Sequence, residues 1–73
     1  MILTELPLNQ VATLQKFLNL ENSIVHQFLD SGLIPGREIK LILKNENQNK
    51  VIIDVGGISL SIRFDTANHI LVL

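Results

Sequence analysis

The stretch Leu29-Asp30-Ser31-Gly32-Leu33-Ile34-Pro35-Gly36 marks the point where a predicted helix ends and a series of strands begins. Gly32 is placed to end the helix in the left-handed conformation, which residues with a Cβ atom adopt only at a cost. Pro35-Gly36 combines a fixed φ with an unrestricted one, which is typical of a type II turn. After Gly36, apolar and polar residues alternate with the period of two that predicts strands.

Working outward from this stretch, local patterns predict every element of the chain. In order, they are a lead-in over 1–9, a strand over 10–18, a helix over 22–31, strands over 37–44, 50–55 and 58–64, a helical turn over 65–68 and a strand over 69–73. Residues 10–18 have neither a clean strand pattern nor a clean helix pattern, and a strand is favoured there because Val, Thr and Phe favour it. Asn22 or Ser23 is the expected N-cap of the helix, and Asp65 is the expected cap of the turn. Gly56-Gly57, between two alternating runs, predicts a two-residue hairpin.

Five short strands with one helix and little room for crossovers predict a mostly β fold, a small antiparallel five-stranded barrel. In the strand over 37–44, Ile39, Leu41 and Leu43 are expected to share the buried face. Closure of the barrel is expected to hide the strand edges that such apolar segments would otherwise expose.

Composition limits the classes of function. The 73 residues predict a single domain over 1–73, with a core supplied by a hydrophobic content of 47% and with no cysteine. Six basic residues, none adjacent to another, balance seven acidic ones, and the aromatic residues are three phenylalanines. This pattern disfavours nucleic-acid binding, which relies on basic patches and aromatic stacking. The sequence shows neither a signal peptide nor an apolar run that could span a membrane, so a soluble, cytoplasmic protein is expected.

The sequence resembles the FeoA family, small cytosolic proteins of bacterial ferrous iron transport that have an SH3-like barrel. The resemblance covers residues 3–73 and is carried by Phe28-Leu29-Asp30-Ser31-Gly32-Leu33-Ile34-Pro35-Gly36, Ile58-Ser59-Leu60-Ser61-Ile62-Arg63, Ala67 and Ile70-Leu71-Val72. Within these segments, the structural signature consists of Leu29, Gly32, Pro35, Gly36 and Ala67. Gln27 and Ser31 depart from the family, which usually has a basic residue and Leu or Met at these positions.

The resemblance implies a role without catalysis. It implies an adaptor or regulator that contacts the cytosolic, GTPase-containing region of a membrane ferrous-iron permease. The candidate docking surface consists of the helix over 22–31, the turn over 32–36 and Arg63. Its candidate contact residues are Gln27, Ser31, Leu33, Ile34, Pro35 and Arg63. Arg63 could bind a partner carboxylate through two hydrogen bonds, or it could be a solvated charge.

Other chemistries have weaker support in the sequence. His26 and His69, with Asp30 and Asp65, are the candidate metal ligands, but no helix or strand spacing pairs the two histidines. No resident cofactor is therefore expected, and weak binding of Fe²⁺ or another divalent ion remains an alternative. Asp30, Ser31 and His26 match no nucleophile motif, and a hairpin turn accounts for Gly56-Gly57 better than phosphate binding does.

Two alternative functions remain open. One is a metal-sensing or peptide-binding regulatory domain, because the same barrel forms the C-terminal domain of iron-dependent repressors. The other is a self-associating domain, since apolar faces and exposed strand edges favour homo-oligomers.

Overall fold

The computed structural model describes all 73 residues. A short 3₁₀ turn, Leu3–Glu5, is followed by β1 (Val11–Phe17), α1 (Asn22–Asp30), β2 (Glu38–Asn45), β3 (Lys50–Val55), β4 (Ile58–Ile62), α2 (Phe64–Ala67) and β5 (Ile70–Val72). All five strands join one antiparallel sheet in the order β4-β3-β2-β1-β5. The predicted mostly β fold is confirmed. Neither helix has the length and apolar character needed to cross a membrane.

The core lies inside the curved sheet and is almost entirely aliphatic. Fourteen buried hydrophobic residues form it, drawn from every strand, the 3₁₀ turn, α2 and the segment after α1: Leu3, Leu6, Ala12, Leu14, Leu33, Ile39, Leu41, Val51, Ile53, Val55, Ile62, Ala67, Ile70 and Val72. Helix α1 contributes no fully buried residue. It is held against the sheet by Phe28, whose ring stacks on that of Phe17 with 5.7 Å between centroids.

An irregularity in β2 changes the predicted pattern of burial. The pairing of β2 with β3 shifts between Leu41 and Leu43, which is typical of a β-bulge. Leu41 is fully buried, but Leu43 is 38% exposed, so the prediction that Leu43 shares the buried face is wrong. After the bulge, Lys44 lies opposite the buried Val51, and its ammonium donates a hydrogen bond to the carbonyl of Thr4 at 2.7 Å.

Helix α1 begins at residue 22 as predicted and α2 begins one residue before its predicted start, but the N-cap of each helix lies before the residues that the sequence suggested. The N-cap of α1 is Glu21, whose backbone is extended, and its carbonyl accepts hydrogen bonds from the amides of Ile24 and Val25. Asn22 therefore lies inside the first turn, and the predicted N-caps are wrong. Helix α2 likewise has Arg63 as its N-cap, so Asp65 lies within the helix instead of capping it. Because α2 begins at Phe64, β4 ends at Ile62 and not at residue 64 as predicted.

The hairpin between β3 and β4 has the predicted geometry. Gly56 and Gly57 have φ values of +60° and +86°, and Val55 pairs with Ile58 across the turn. The carboxylate of Asp54 accepts a hydrogen bond from the Gly57 amide at 2.9 Å. Two positive φ values in succession favour glycine at both positions, since glycine adopts them without steric strain.

The two edges of the sheet differ. The outer side of β5 is covered by the start of the chain, where Ile2 bridges Leu71 and the Val72 amide donates to the Met1 carbonyl at 2.7 Å. The outer side of β4 pairs with no strand. The expectation that closure hides the strand edges therefore holds for β5 and is wrong for β4.

Candidate docking surface

The C-terminal end of α1 is fixed by a complete Schellman motif. The Gly32 amide donates to the Leu29 carbonyl at 3.0 Å, and the Leu33 amide donates to the Phe28 carbonyl at 2.9 Å. Gly32 has a φ of +94°, the left-handed conformation expected of it. Arg37 adds a hydrogen bond from its guanidinium to the Gly32 carbonyl at 3.2 Å.

The turn that follows connects the helix to the sheet. Arg37 donates its amide proton to the Ile34 carbonyl at 3.0 Å, and Gly36 has a φ of +95°, as a type II turn centred on Pro35 and Gly36 requires. The Gly36 amide donates to the Leu14 carbonyl of β1 at 2.8 Å. The turn is therefore held at a fixed position relative to β1 while its outer side remains exposed.

The candidate contact residues near this turn differ in their exposure. Ile34 is 45% exposed, and Pro35 is also exposed. Leu33 is fully buried in the core, so it cannot contact a partner directly and leaves the candidate docking surface. Ser31 is exposed, but its hydroxyl donates to the Gln27 carbonyl at 2.9 Å and so completes the helix end.

Gln27 and Arg63, which are 36 positions apart in the sequence, line one groove between α1 and the end of β4. The groove has a volume of about 210 Å³ and is lined by Ile24, Gln27, Phe28, Ser61, Ile62, Arg63 and Thr66. Its walls combine apolar side chains with polar groups, and Arg63 is the only charged residue among them. The structure thus brings two of the candidate contact residues together.

A small polar network surrounds Arg63. Its guanidinium lies 3.3 Å from the Asp65 carboxylate, in an ion pair whose side chains are 73% and 61% exposed. The Asn49 side chain accepts a hydrogen bond from the Asp65 amide at 2.9 Å and donates one to the Asp65 carboxylate at 3.4 Å. Partial desolvation raises the pKa of Asp65, but the Arg63 charge and hydrogen bonds from Asn49 and Thr66 outweigh it and lower the pKa below its usual 3.8. Asp65 is therefore ionised at neutral pH and orients Arg63.

The histidines have separate surroundings. His26 is exposed on α1, whereas His69 is half-buried, and its Nδ1 lies 2.9 Å from the Leu18 carbonyl. Since a carbonyl oxygen can only accept, Nδ1 donates this hydrogen bond. No group of three or more His, Asp or Glu side chains that could hold a metal ion comes together in the structure.

Several residues of the groove had no signal in the sequence. Ile24 and Phe28 belonged to the predicted apolar stripe of the helix, and nothing in that stripe indicated that one edge of it borders a groove. Asn49 does not line the groove, but its side chain caps the Asp65 amide from a polar loop 16 positions earlier in the sequence. Its positive φ of 52° is a feature that asparagine tolerates better than most residues and that could have suggested a structural role.

The family model for the FeoA domain matches residues 1–73, the whole sequence. The chain belongs to the FeoA family. This family is associated with ferrous iron transport. No curated protein matches the sequence.

Solved structures show the same fold. A FeoA protein from Chlorobium tepidum has a TM-score of 0.89 at 24% identity, with 99% of this chain and 68% of that one covered. A FeoA from Stenotrophomonas maltophilia, complexed with zinc and described as a prokaryotic SH3 domain protein, has a TM-score of 0.82 at 24% identity, covering 100% and 89%. T. acidophilum IdeR matches with a TM-score of 0.85 at 29% identity, over 99% of this chain but 32% of its own. The SH3-like fold is confirmed.

Most of the residues that the resemblance predicts as a structural signature lie where the backbone or the core leaves little freedom. Gly32 and Gly36 have positive φ, Pro35 starts the type II turn, and Ala67 is fully buried in α2. Leu29 is half-buried on α1. These positions set the geometry between helix and sheet, and the groove is a consequence of that geometry.

Proposed function

We propose that this chain is a cytoplasmic adaptor or regulator of ferrous iron transport that acts by contact with the cytosolic, GTPase-containing region of a membrane ferrous-iron permease. The proposal involves no catalysis and no resident cofactor. It rests on membership of the FeoA family and on one observation, that Gln27 and Arg63 line the same groove beside α1.

The chemistry of the groove suits recognition of a protein. Apolar surface from Ile24 and Phe28 can be buried on binding, and the polar side chains around it can fix orientation. Arg63 forms one hydrogen bond to Asp65 and retains further donors for a partner carboxylate. The exposed Ile34 adds apolar surface at the turn. Leu33 is not part of this surface, because its side chain lies in the core.

The test is an amide NMR titration of this chain with the soluble cytosolic region of a ferrous-iron permease from the same source. Shifts that cluster on α1, on the turn over 32–36 and around Arg63 would support the proposal and locate the surface. If no shifts occur at high concentration, that region of the permease is not the direct partner.

Two variants make the titration specific. Ile34→Asp should weaken binding by about tenfold or more, because it places a charge in an apolar contact, while circular dichroism shows an unchanged fold. Leu8→Asp is the matched control, since Leu8 is also apolar and 54% exposed but lies outside the candidate docking surface. Equal effects of the two substitutions would place the contact elsewhere.

The second candidate function is a metal-sensing regulatory domain. The zinc complex of the Stenotrophomonas maltophilia FeoA and the similarity to T. acidophilum IdeR favour it. A titration with Fe²⁺ in the absence of oxygen, monitored at the amides near His26 and His69, tests it. Saturable shifts at one histidine, lost on its substitution by Gln, would favour this function over the adaptor.

A further inference from the structure

The free edge of β4 carries backbone groups without partners. In the β3–β4 hairpin, Val55 pairs with Ile58, and pairing continues without a shift to Val51 and Ile62. Hydrogen-bonded residues alternate along an antiparallel pair, so Ile58, Leu60 and Ile62 direct their amides and carbonyls toward β3. Ser59 and Ser61 direct theirs outward. No hydrogen bond outside the sheet pairing involves any residue of β4.

This edge also lacks the usual protection against pairing with another strand. Exposed edges are commonly blocked by a charged residue, a proline or a bulge. The sequence of β4, Ile58-Ser59-Leu60-Ser61-Ile62, contains no charge and no proline, and its register is regular over all five pairs. The other edge of the sheet is covered by the Met1–Ile2 backbone, so β4 is the edge left available.

The groove described above lies beside this edge. Ser61 and Ile62 form one side of it, and Ile24, Gln27 and Phe28 of α1 form the other. A free strand edge facing a helix across a groove is the arrangement by which peptide-binding domains add an extended segment to a sheet. The backbone of such a segment would pair with Ser59 and Ser61, and an apolar side chain would lie between Ile24 and Phe28.

We propose that an extended segment of a partner protein adds to β4 as a sixth strand, with an apolar side chain in the groove and a carboxylate on Arg63. The proposal deepens the proposed function and rests on it. The charge of the segment follows from Arg63, which is the only charged residue that lines the groove. Its extended conformation follows from the outward amides and carbonyls, which only another extended backbone can pair with in series.

The geometry favours a single segment over a second copy of this chain. If β4 of another copy paired here, its β3 would follow one strand spacing away, about 4.8 Å further out. Helix α1 borders the space beside the end of β4, since its side chains line the same groove as Ser61 and Ile62. A single extended chain needs one strand spacing beside β4, whereas a second copy would need room for its further strands as well, on the side that α1 borders.

The experiment measures hydrogen–deuterium exchange of backbone amides by NMR, with the whole chain alone and with the soluble cytosolic region of the permease. In the free protein, the Ser59 and Ser61 amides should exchange rapidly, while those of Leu60 and Ile62 are protected by pairing with β3. In the complex, the Ser59 and Ser61 amides should become protected as well. This pattern distinguishes strand addition from contact through side chains.

Ser61→Pro tests the same point by binding. It removes one outward amide proton and no hydrogen bond of the β3–β4 pair, so an edge strand can accommodate it. It should weaken binding by about tenfold or more, because both the hydrogen bond and the close approach of the partner backbone are lost. Ser61→Ala is the matched comparison, since it removes the side chain but keeps the amide, and strand addition predicts that it weakens binding much less than Ser61→Pro does.

The outcomes separate the two proposals. If the permease region binds but the Ser59 and Ser61 amides still exchange rapidly, the adaptor function stands and strand addition is overturned. If these amides are already protected in the free protein and sedimentation shows a dimer, a second copy occupies the edge, which also overturns it. If nothing binds, the proposed function fails and the inference falls with it. The exchange measurement on the native chain decides the matter even if Ser61→Pro does not fold.

Discussion

The connection from α1 to β2 and the connection from β4 to α2 are built in opposite ways. The connection after α1 uses hydrogen bonds between residues a few positions apart, from Phe28 to Arg37, with Gly32 and Gly36 at positive φ. The connection around α2 depends on Asn49, which caps the Asp65 amide from a loop 16 positions earlier. The first connection is specified within its own sequence, and the second is specified by the fold around it.

The two connections also contribute differently to the groove. The local connection sets the angle of α1 on the sheet, and thereby forms one wall of the groove. The connection from β4 to α2 places Arg63 in the lining of the groove, where it forms an ion pair with Asp65. Changes to the first connection should therefore act on stability, whereas changes to the second should act mainly on the position of one charged side chain.

The largest effect is expected from Leu33→Ala. Leu33 is fully buried, so truncation should lower the free energy of unfolding by about 2–5 kcal/mol through lost transfer energy and a cavity. Urea denaturation followed by circular dichroism measures it, with the exposed Leu8→Ala as the control. A stable Leu33→Ala protein that loses partner binding would instead return Leu33 to the candidate docking surface.

The next effect concerns the two glycines of the local connection. Gly32→Ala and Gly36→Ala should each destabilise the protein by about 1–2 kcal/mol, because alanine is strained at φ values of +94° and +95°. A Cβ atom on residue 32 would lie 3.0 Å from the flexible end of Arg37, whereas one on residue 36 meets nothing within 4 Å. Since the Arg37 guanidinium can move, the two losses should be similar. A much larger loss at Gly32 would show that Arg37 is fixed.

The sequence was sufficient to predict the backbone conformation wherever the residues that determine it are close together in the chain. Gly32, the Pro35-Gly36 turn and the Gly56-Gly57 hairpin could all be interpreted from a few neighbouring residues, since backbone conformation there depends on local sterics. The bulge in β2 that exposes Leu43 could not, because alternation continues in the sequence while the register shifts in space. The groove could not be predicted either, since it exists only where α1 meets β4. The similarity to FeoA suggested Gln27 and Arg63 without showing that they line one cavity.

A smaller effect is expected from removing the distant cap. Asn49→Gly keeps a residue that tolerates the φ of 52° but removes the side chain that pairs with Asp65. The free energy of unfolding should fall by about 0.5–1 kcal/mol, the range of an exposed helix cap. Asn49→Ala should lose about 1 kcal/mol more, because alanine is also strained in the left-handed conformation. Equal losses from the two variants would mean that the cap alone determines the effect.

The smallest effect is a dependence on pH, which measures the contribution of the charged Asp65 carboxylate to the connection from β4 to α2. The pKa of Asp65 is lowered in the folded protein, so the unfolded chain binds the proton more readily than the folded one. The stabilisation from its carboxylate is therefore complete above the unfolded value near 3.8, and it is lost as the pH falls through the lower folded value. Because both side chains are exposed, the loss should be small and should shrink further at high salt. Urea denaturation from pH 6 to pH 2.5 should show a shallower decline below about pH 4 for Asp65→Asn than for the native chain. If the two curves stay parallel over this range, the charge of the Asp65 carboxylate contributes nothing to stability through Arg63, Asn49 or Thr66, and its role is confined to orienting Arg63 at the groove.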